Sequence, residues 1–280
     1  MGGGGTIRKQ TERSRGMFRN IQAQLGDKDF RKIEQATVVL VGAGGIGSNM
    51  AQALAGTGFS QLTLIDGDKV SVRNLPLSSV FTAKDVGRYK VKVVRDHLNA
   101  KYGTRMNLVA IPEYTDKVPT DLLTKPDLLV LGVDDRWTRL AVTNIRVEAG
   151  LPYVNLGFLG WEGEYLHVTK GTACWACLWR PNDSEKVEKL KREGRCPEPE
   201  PNVPGAVTPA AVQHLIGFAV GEIAKIVTQR GRLVQYHKFN VETGASDTRF
   251  LDSPNAFRPD PTCPICSKEE EFDVSEFGKN

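Results

Sequence analysis

The sequence predicts an α/β fold with a mostly parallel, doubly wound sheet. Three observations carry that prediction. Short apolar, β-branched runs alternate with segments of helical spacing between residues 37 and 156, the pattern of parallel strands covered by helices. The first apolar run leads directly into a glycine-rich turn, Gly42-Ala43-Gly44-Gly45-Ile46-Gly47. The second run ends on an acid, Asp66, as sheets that bind nucleotides at their strand ends often do.

Taken in order, residues 13–34 have the spacing of one or two amphipathic helices. Thr37–Val41 is wholly apolar after its first residue and reads as a central strand. A helix follows from Ser48 to Thr57, then a strand over Gln61–Ile65. A helix over 88–101 precedes a strand at Asn107–Ile111. A short helix near 118–123 precedes the strand Asp127–Leu131, and a helix at 136–149 precedes Pro152–Leu156. Beyond this point the pattern changes. Glu162–Val168 and Val234–Val241 read as antiparallel strands added to a Rossmann-like, mostly parallel sheet. Residues 178–206 are polar and carry five prolines, the composition of a long crossover loop. Thr208 and Pro209 are a good N-cap and first residue for a helix running to Gln229. Its apolar residues wrap most of the circumference, which predicts burial. The chain thus divides into a basic helical arm at 1–36, a main domain at 37–268 and a polar tail at 269–280.

At 280 residues, 40% hydrophobic and 25% charged, the composition is that of an ordinary globular protein. No apolar run matches the length of a bilayer span, and Met1–Gly5 leads into no apolar leader core. The expectation is a cytoplasmic protein. The formal net charge is +4, and the arm alone, with eight Lys/Arg against four acids, accounts for it. Such an arm suits reaching toward phosphates.

Gly42, Gly44 and Gly47 form a G-x-G-x-x-G turn between strand and helix, with Gly45 inside it. Glycines there let backbone N–H groups approach a phosphate at the helix N-terminus. Asp66, nineteen residues past Gly47, suits ribose hydroxyls. These features alone fit NAD as well as ATP. Asp68 and Asn74 follow closely.

The succession Val41-Gly-Ala-Gly-Gly-Ile-Gly-Ser48, Leu64-Ile-Asp-Gly-Asp68, Asn74-Leu75, Val86-Gly-Arg-Tyr-Lys90 and Gly132-Val-Asp-Asp135 resembles the ThiF/MoeB/HesA and ubiquitin-activating superfamily. The resemblance runs from about residue 15 to Cys266. It implies ATP-dependent adenylation of the C-terminal glycine carboxylate of a small ubiquitin-like or sulfur-carrier protein. It also implies residue roles: Asp66 on the ribose, Asn74 by the phosphates, Lys90 on the α-phosphate and Asp134 on Mg²⁺. Arg19, in Met17-Phe-Arg-Asn-Ile21, resembles an arginine that reaches into the partner subunit's ATP site in a homodimer, with Arg15 as the alternative. The chemistry suits these residue types. A carboxylate is already ionised at neutral pH and needs no general base; the obstacle is repulsion between two anions, which cations offset in a water-poor site.

One departure stands out. Where the family continues Asn-Leu-x-Arg-Gln, this chain has Asn74-Leu75-Pro76-Leu77-Ser78, so a phosphate-facing cation is missing. Arg73 and Arg88 are the candidate substitutes. The alternatives are a non-catalytic binding module, or adenylation of a tRNA or peptide substrate.

Two Cys-x-x-Cys pairs, Cys174/Cys177 and Cys263/Cys266, are separated by 85 residues. Four thiolates favour closed, tetrahedral, structural zinc, and the resemblance agrees. Cys196 stands alone among basic residues in Lys191-Arg-Glu-Gly-Arg-Cys196, which favours the thiolate. The resemblance, closest there to the ubiquitin-fold-modifier-activating type, implies either a thioester on Cys196 with a conjugating enzyme downstream, or a sulfur donor in its place. His97, His167, His214 and His237 show no ligand spacing and read as structural.

Overall fold

The structure is a computed structural model, and it describes residues 16–179, 207–263 and 265–266. An eight-stranded sheet has the order β3-β2-β1-β4-β5-β6-β7-β8. Its strands are β1 (Thr37–Val41), β2 (Gln61–Ile65), β3 (Asn107–Ile111), β4 (Leu128–Leu131), β5 (Tyr153–Leu159), β6 (Glu162–Val168), β7 (Val234–Asn240) and β8 (Ser246–Phe250). The first five pair in parallel and the last three in antiparallel fashion. The doubly wound sheet and its antiparallel extension are as the sequence predicts.

Helices α1 (Arg19–Leu25), α2 (Asp27–Gln35), α3 (Gly45–Thr57), α4 (Lys90–Tyr102) and α8 (Pro209–Thr228) belong to one layer. Helices α5 (Asp121–Thr124), α6 (Arg136–Glu148) and α7 (Trp175–Trp179) belong to the other. The core divides accordingly. Leu40, Leu62, Leu64, Met50, Leu54, Val91 and Leu215 pack on one face. Val39, Val41, Leu129, Leu131, Leu140 and the cysteines pack on the other. This split follows from the period-2 alternation of β1, which sends Leu40 one way and Val39 and Val41 the other.

β1 and β4 are adjacent and parallel, but their following helices lie on opposite faces. This is the topological switch point, where such sheets open a crevice at the carboxyl ends of their strands. Backbone contact fixes the turn there. Gly42 has φ +94°, and a Cβ on it would lie 2.8 Å from the Gly132 carbonyl oxygen. A Cβ on Gly47 would lie 1.9 Å from the Gly42 carbonyl oxygen, so strand and helix approach closely only with glycine.

Several elements depart from the expectation. β5 continues three residues past Leu156, because Gly157, Phe158 and Leu159 pair with Glu164, Gly163 and Glu162. β8 was not anticipated: Ser246, Asp247 and Thr248 are polar and exposed at the sheet edge and Arg249 and Phe250 are half-buried, so no alternating burial pattern marks it. α7 is likewise new. Helix α8 is capped by the Thr208 side chain, which accepts from the Ala211 N–H, as expected. Its burial is less complete than expected: Ala210, Gly217 and Gly221 are exposed, and Val220, Ala224 and Val227 are half-buried. It is also, by length and composition, apolar enough to cross a membrane, contrary to the sequence expectation that no stretch is. Here it lies against α3 and β6. Its Glu222 accepts from the Val234 N–H and pairs with Lys225.

Candidate functional site: a carboxylate-ringed lysine beside a glycine loop

The glycine loop after β1 places the first turn of α3 at the crevice. Asp66, at the end of β2, accepts the Ala43 N–H on one oxygen and the Asp68 N–H on the other. These bonds tie the ends of β1 and β2 together. Burial pushes the Asp66 carboxyl above its ordinary value, against the opposing pull of Lys90 and the two backbone donors.

Lys90 opens α4 and is nearly buried, its side chain 11% exposed. Its ammonium donates to Asp68 Oδ2 at 2.9 Å, and its own N–H donates to the Asp68 carbonyl. Burial alone would lower its pKa. Asp66, Asp68 and Asp134 outweigh that and raise it, so the side chain is a fixed cation. Charges from the end of β2, the loop after it and the β4–α6 turn thus act on one ammonium at the start of α4. Asp68 also receives a bond from Tyr114 Oη at 3.1 Å, which the sequence reading missed. Tyr114 sits after β3 in no recognisable motif, so only the fold reveals it.

Asn74 is turned into a capping role: its Oδ1 accepts from the Ser71 N–H and hydroxyl. That leaves its amide N–H group for another acceptor. The segment that departs from the family pattern is docked onto the glycine-loop helix. Asn49 donates to the Gly45 and Leu77 carbonyls and accepts from Ser79. Ser78 is buried, with its hydroxyl 2.8 Å from that of Ser48. A Cβ on Gly45 would lie 3.2 Å from Leu77 Cβ, so the wall of the loop here is apolar. Of the two candidate replacement cations, Arg88 is held by Asp85 and Asp96, each at 2.7 Å. Arg73 lies exposed on the 3-10 turn Val72–Leu77.

At the β4 end, Asp135 caps α6 by accepting the Trp137 and Thr138 N–H groups, which places Asp134 at the crevice. Arg139, one turn on, is buried and donates to Asn155 Oδ1 and the Leu156 carbonyl. Burial lowers its pKa to about 10, with Glu164, Asp134 and Asp135 opposing the shift.

Arg19 is not brought to this site within the chain. The neighbouring Phe18 stacks on Tyr102, the last residue of α4, and lies under Arg105. Lys90 is the first residue of that thirteen-residue helix. At 1.5 Å per residue the two ends are about 20 Å apart. Arg15 and Cys196 lie outside the described residues. The segment holding Cys196 leaves from Trp179, whose ring stacks on Trp175 and lies 5.3 Å from the Arg136 guanidinium. The chain is described again from Val207, and the Thr208 N–H bonds the Gly160 carbonyl at the β5–β6 turn.

The four paired cysteines converge. Cys174 Sγ is 3.8 Å from Cys177 Sγ and 3.7 Å from Cys263 Sγ, and Cys177 Sγ is 3.8 Å from Cys266 Sγ. All four sulfurs lie within 4.8 Å of one another. These are free thiols, far beyond disulfide length. A tetrahedron of thiolates about 2.3 Å from a metal has edges of about 3.8 Å, so the cluster fits a zinc-sized ion. The Asp260 N–H donates to Cys177 Sγ, an outer-shell bond of the kind that orients metal ligands.

Among similar proteins, the sulfur carrier protein adenylyltransferase of Thermus thermophilus is 26% identical over 89% of this chain and 89% of its own length. The sulfur carrier protein ThiS adenylyltransferase of Escherichia coli is 25% identical over 84% of this chain and 88% of its own. The crystal structure of E. coli MccB with ATP superposes with a TM-score of 0.65 at 20% identity, over 85% of this chain and 68% of that one, a likeness of fold. The profile of the ThiF family matches residues 17–265, nearly the whole described length, and the chain is therefore a member of the ThiF family.

Proposed function

We propose that this chain is an adenylyltransferase that uses Mg·ATP to charge the C-terminal glycine carboxylate of a small ubiquitin-like or sulfur-carrier protein. The observation that carries the reading is Lys90, a nearly buried cation among Asp66, Asp68 and Asp134 beside the glycine loop. The names of similar proteins point the same way. In this reading, the N–H groups of the glycine loop and the start of α3 bind phosphate, and Asp66 holds the ribose. The Asn74 amide and the Lys90 ammonium face the phosphates. Lys90 opposes the negative charge that builds on the α-phosphate as the carboxylate attacks, and pyrophosphate leaves. Asp134 would hold Mg²⁺, which supplies further charge neutralisation.

The active form is a homodimer. Arg19 lies far from Lys90 in its own chain, so a role on phosphate requires a second copy. The exposed small residues Ala210, Gly217 and Gly221 of α8 offer a face where helices can approach closely. Cys196 either receives the acyl group as a thioester, for passage to a conjugating enzyme, or stands aside while a sulfur donor attacks the adenylate. The four-cysteine site holds structural zinc, and the reaction belongs in the cytoplasm.

A second reading, a binding module without catalysis, is favoured by Leu77, which presents a methylene instead of a cation to the glycine loop. ATP–pyrophosphate exchange with a panel of glycine-ended carriers separates the two. Carrier-dependent exchange that falls about 100- to 1,000-fold in Lys90→Ala supports adenylation. Carrier binding without exchange and without ATP dependence supports the module.

A further inference from the structure

We propose that Tyr114 is a positioning residue for Lys90, acting through Asp68. The inference rests on the reading above that Lys90 serves the phosphates.

Tyr114 enters the site from the segment after β3, on the flank of β2 opposite β1. Its hydroxyl donates to Asp68 Oδ1 at 3.1 Å, while Lys90 donates to Oδ2 of the same carboxylate at 2.9 Å. The two oxygens of one carboxylate are therefore shared between a phenol and an ammonium. The phenol is thus one of the ties that orient Asp68. The Asp68 side chain is 50% exposed, so the direction of its carboxylate is set by such bonds and not by close packing. Lys90, by contrast, is almost out of water, so the direction of its N–H groups is set by its protein partners. An ammonium has three N–H donors. With one fixed on a pinned Asp68, the others keep a constant direction.

The ring of Tyr114 is placed by a specific absence. It lies against Gly67, where a Cβ would come within 2.8–2.9 Å of three ring atoms. Gly67 stands between Asp66 and Asp68, so the residue that lets the ring in is part of the loop that carries both acids. The backbone adds a second tie in the same direction, from the Lys90 N–H to the Asp68 carbonyl. Tyr114, Asp68 and Lys90 thus form one chain across 46 residues of sequence.

Tyr114→Phe keeps the ring against Gly67 and removes only the hydroxyl. In full-length, zinc-loaded protein we expect kcat for carrier-dependent exchange to fall about tenfold while KM for ATP stays within about twofold, because aim matters most where charge develops. Asp68→Asn should give a loss of similar size, and Tyr114→Phe should add little in that background. Equal kcat in Tyr114→Phe and wild type overturns the proposal. So do losses that simply multiply in the double variant. A readout without substrate keeps the test independent of the adenylation reading. In the ligand-free protein, the rate at which trinitrobenzenesulfonate modifies Lys90, mapped by mass spectrometry, should rise several-fold in both Tyr114→Phe and Asp68→Asn. An unchanged rate refutes the clamp even where wild-type exchange is strong. A raised rate with no wild-type exchange upholds the clamp and defeats the adenylation reading instead.

Discussion

At the scale of single residues, this protein concentrates its unusual electrostatics in a few buried groups. Lys90 is kept charged by three acids, whereas His167 is kept neutral by burial. His167 lies on β6 at 3% exposure, and neither ring nitrogen finds a hydrogen bond among the described residues. Burial lowers its pKa to about 4 from an ordinary 6.5. The unfolded chain therefore takes up a proton between these values while the folded chain does not. Stability contributed by this residue is complete above about pH 6.5 and falls as the pH drops toward 4. The loss amounts to about 3 kcal/mol for a shift of this size. Urea titrations from pH 7 to 4 should show it, and His167→Phe should flatten that limb. An unchanged slope in the variant would place the acid sensitivity elsewhere.

At the scale of elements, two devices hold the site. The first is the glycine turn. A Cβ at Gly47 overlaps the Gly42 carbonyl, so Gly47→Ala must shift either β1 or α3. Loss of nucleotide affinity is expected together with a lowered Tm, both measurable by thermal shift with and without ATP. The second is the cysteine cluster, which joins α7 to the chain after β8. That late segment has an anchor of its own. Gln235 accepts the Phe257 N–H and donates to the Phe257 carbonyl, and the Tyr236 ring meets that of Phe257 edge-on. Chelation should therefore free the chain beyond Phe257 before it disturbs β7. Limited proteolysis of metal-stripped protein should cut first near 258–262. Early cleavage within β7 would show that the metal supports more of the sheet than these contacts indicate.

At the scale of the whole molecule, the question is how Arg19 and Lys90 could serve one reaction from opposite ends of α4. A symmetric dimer answers it and yields a sharp expectation. In a mixture of Arg19→Ala and Lys90→Ala chains, each mixed dimer has one site with both residues intact and one with neither. Random pairing makes half of the dimers mixed, so about a quarter of wild-type activity should return from two inactive parents. No recovery, with exchange of subunits verified, would remove Arg19 from the reaction. Substituting Gly217 with a large residue should weaken association in sedimentation experiments, because the exposed face of α8 would lose its close approach.

Much of this was legible in the residues themselves. The strands, the glycine turn, the acid closing β2 and the cysteine pairs are local patterns, and period, turn chemistry and ligand spacing act over a few residues. The cap of α8 was equally readable, since Thr208 and Ala211 are near neighbours in sequence. What lay outside local pattern was decided by the tertiary structure. Tyr114 reaches Asp68 only because β3 lies beside β2, and Asn49 holds Leu77 and Ser79 only because their turn folds back onto α3. β8 exists because β7 offers it a ladder, not because its sequence carries an alternating apolar pattern. The separation of Arg19 from Lys90 is set by where Phe18 finds an aromatic partner. Sequence pattern reports which surfaces must be buried; which residues then meet depends on the closure of long loops, and only the assembled chain determines that.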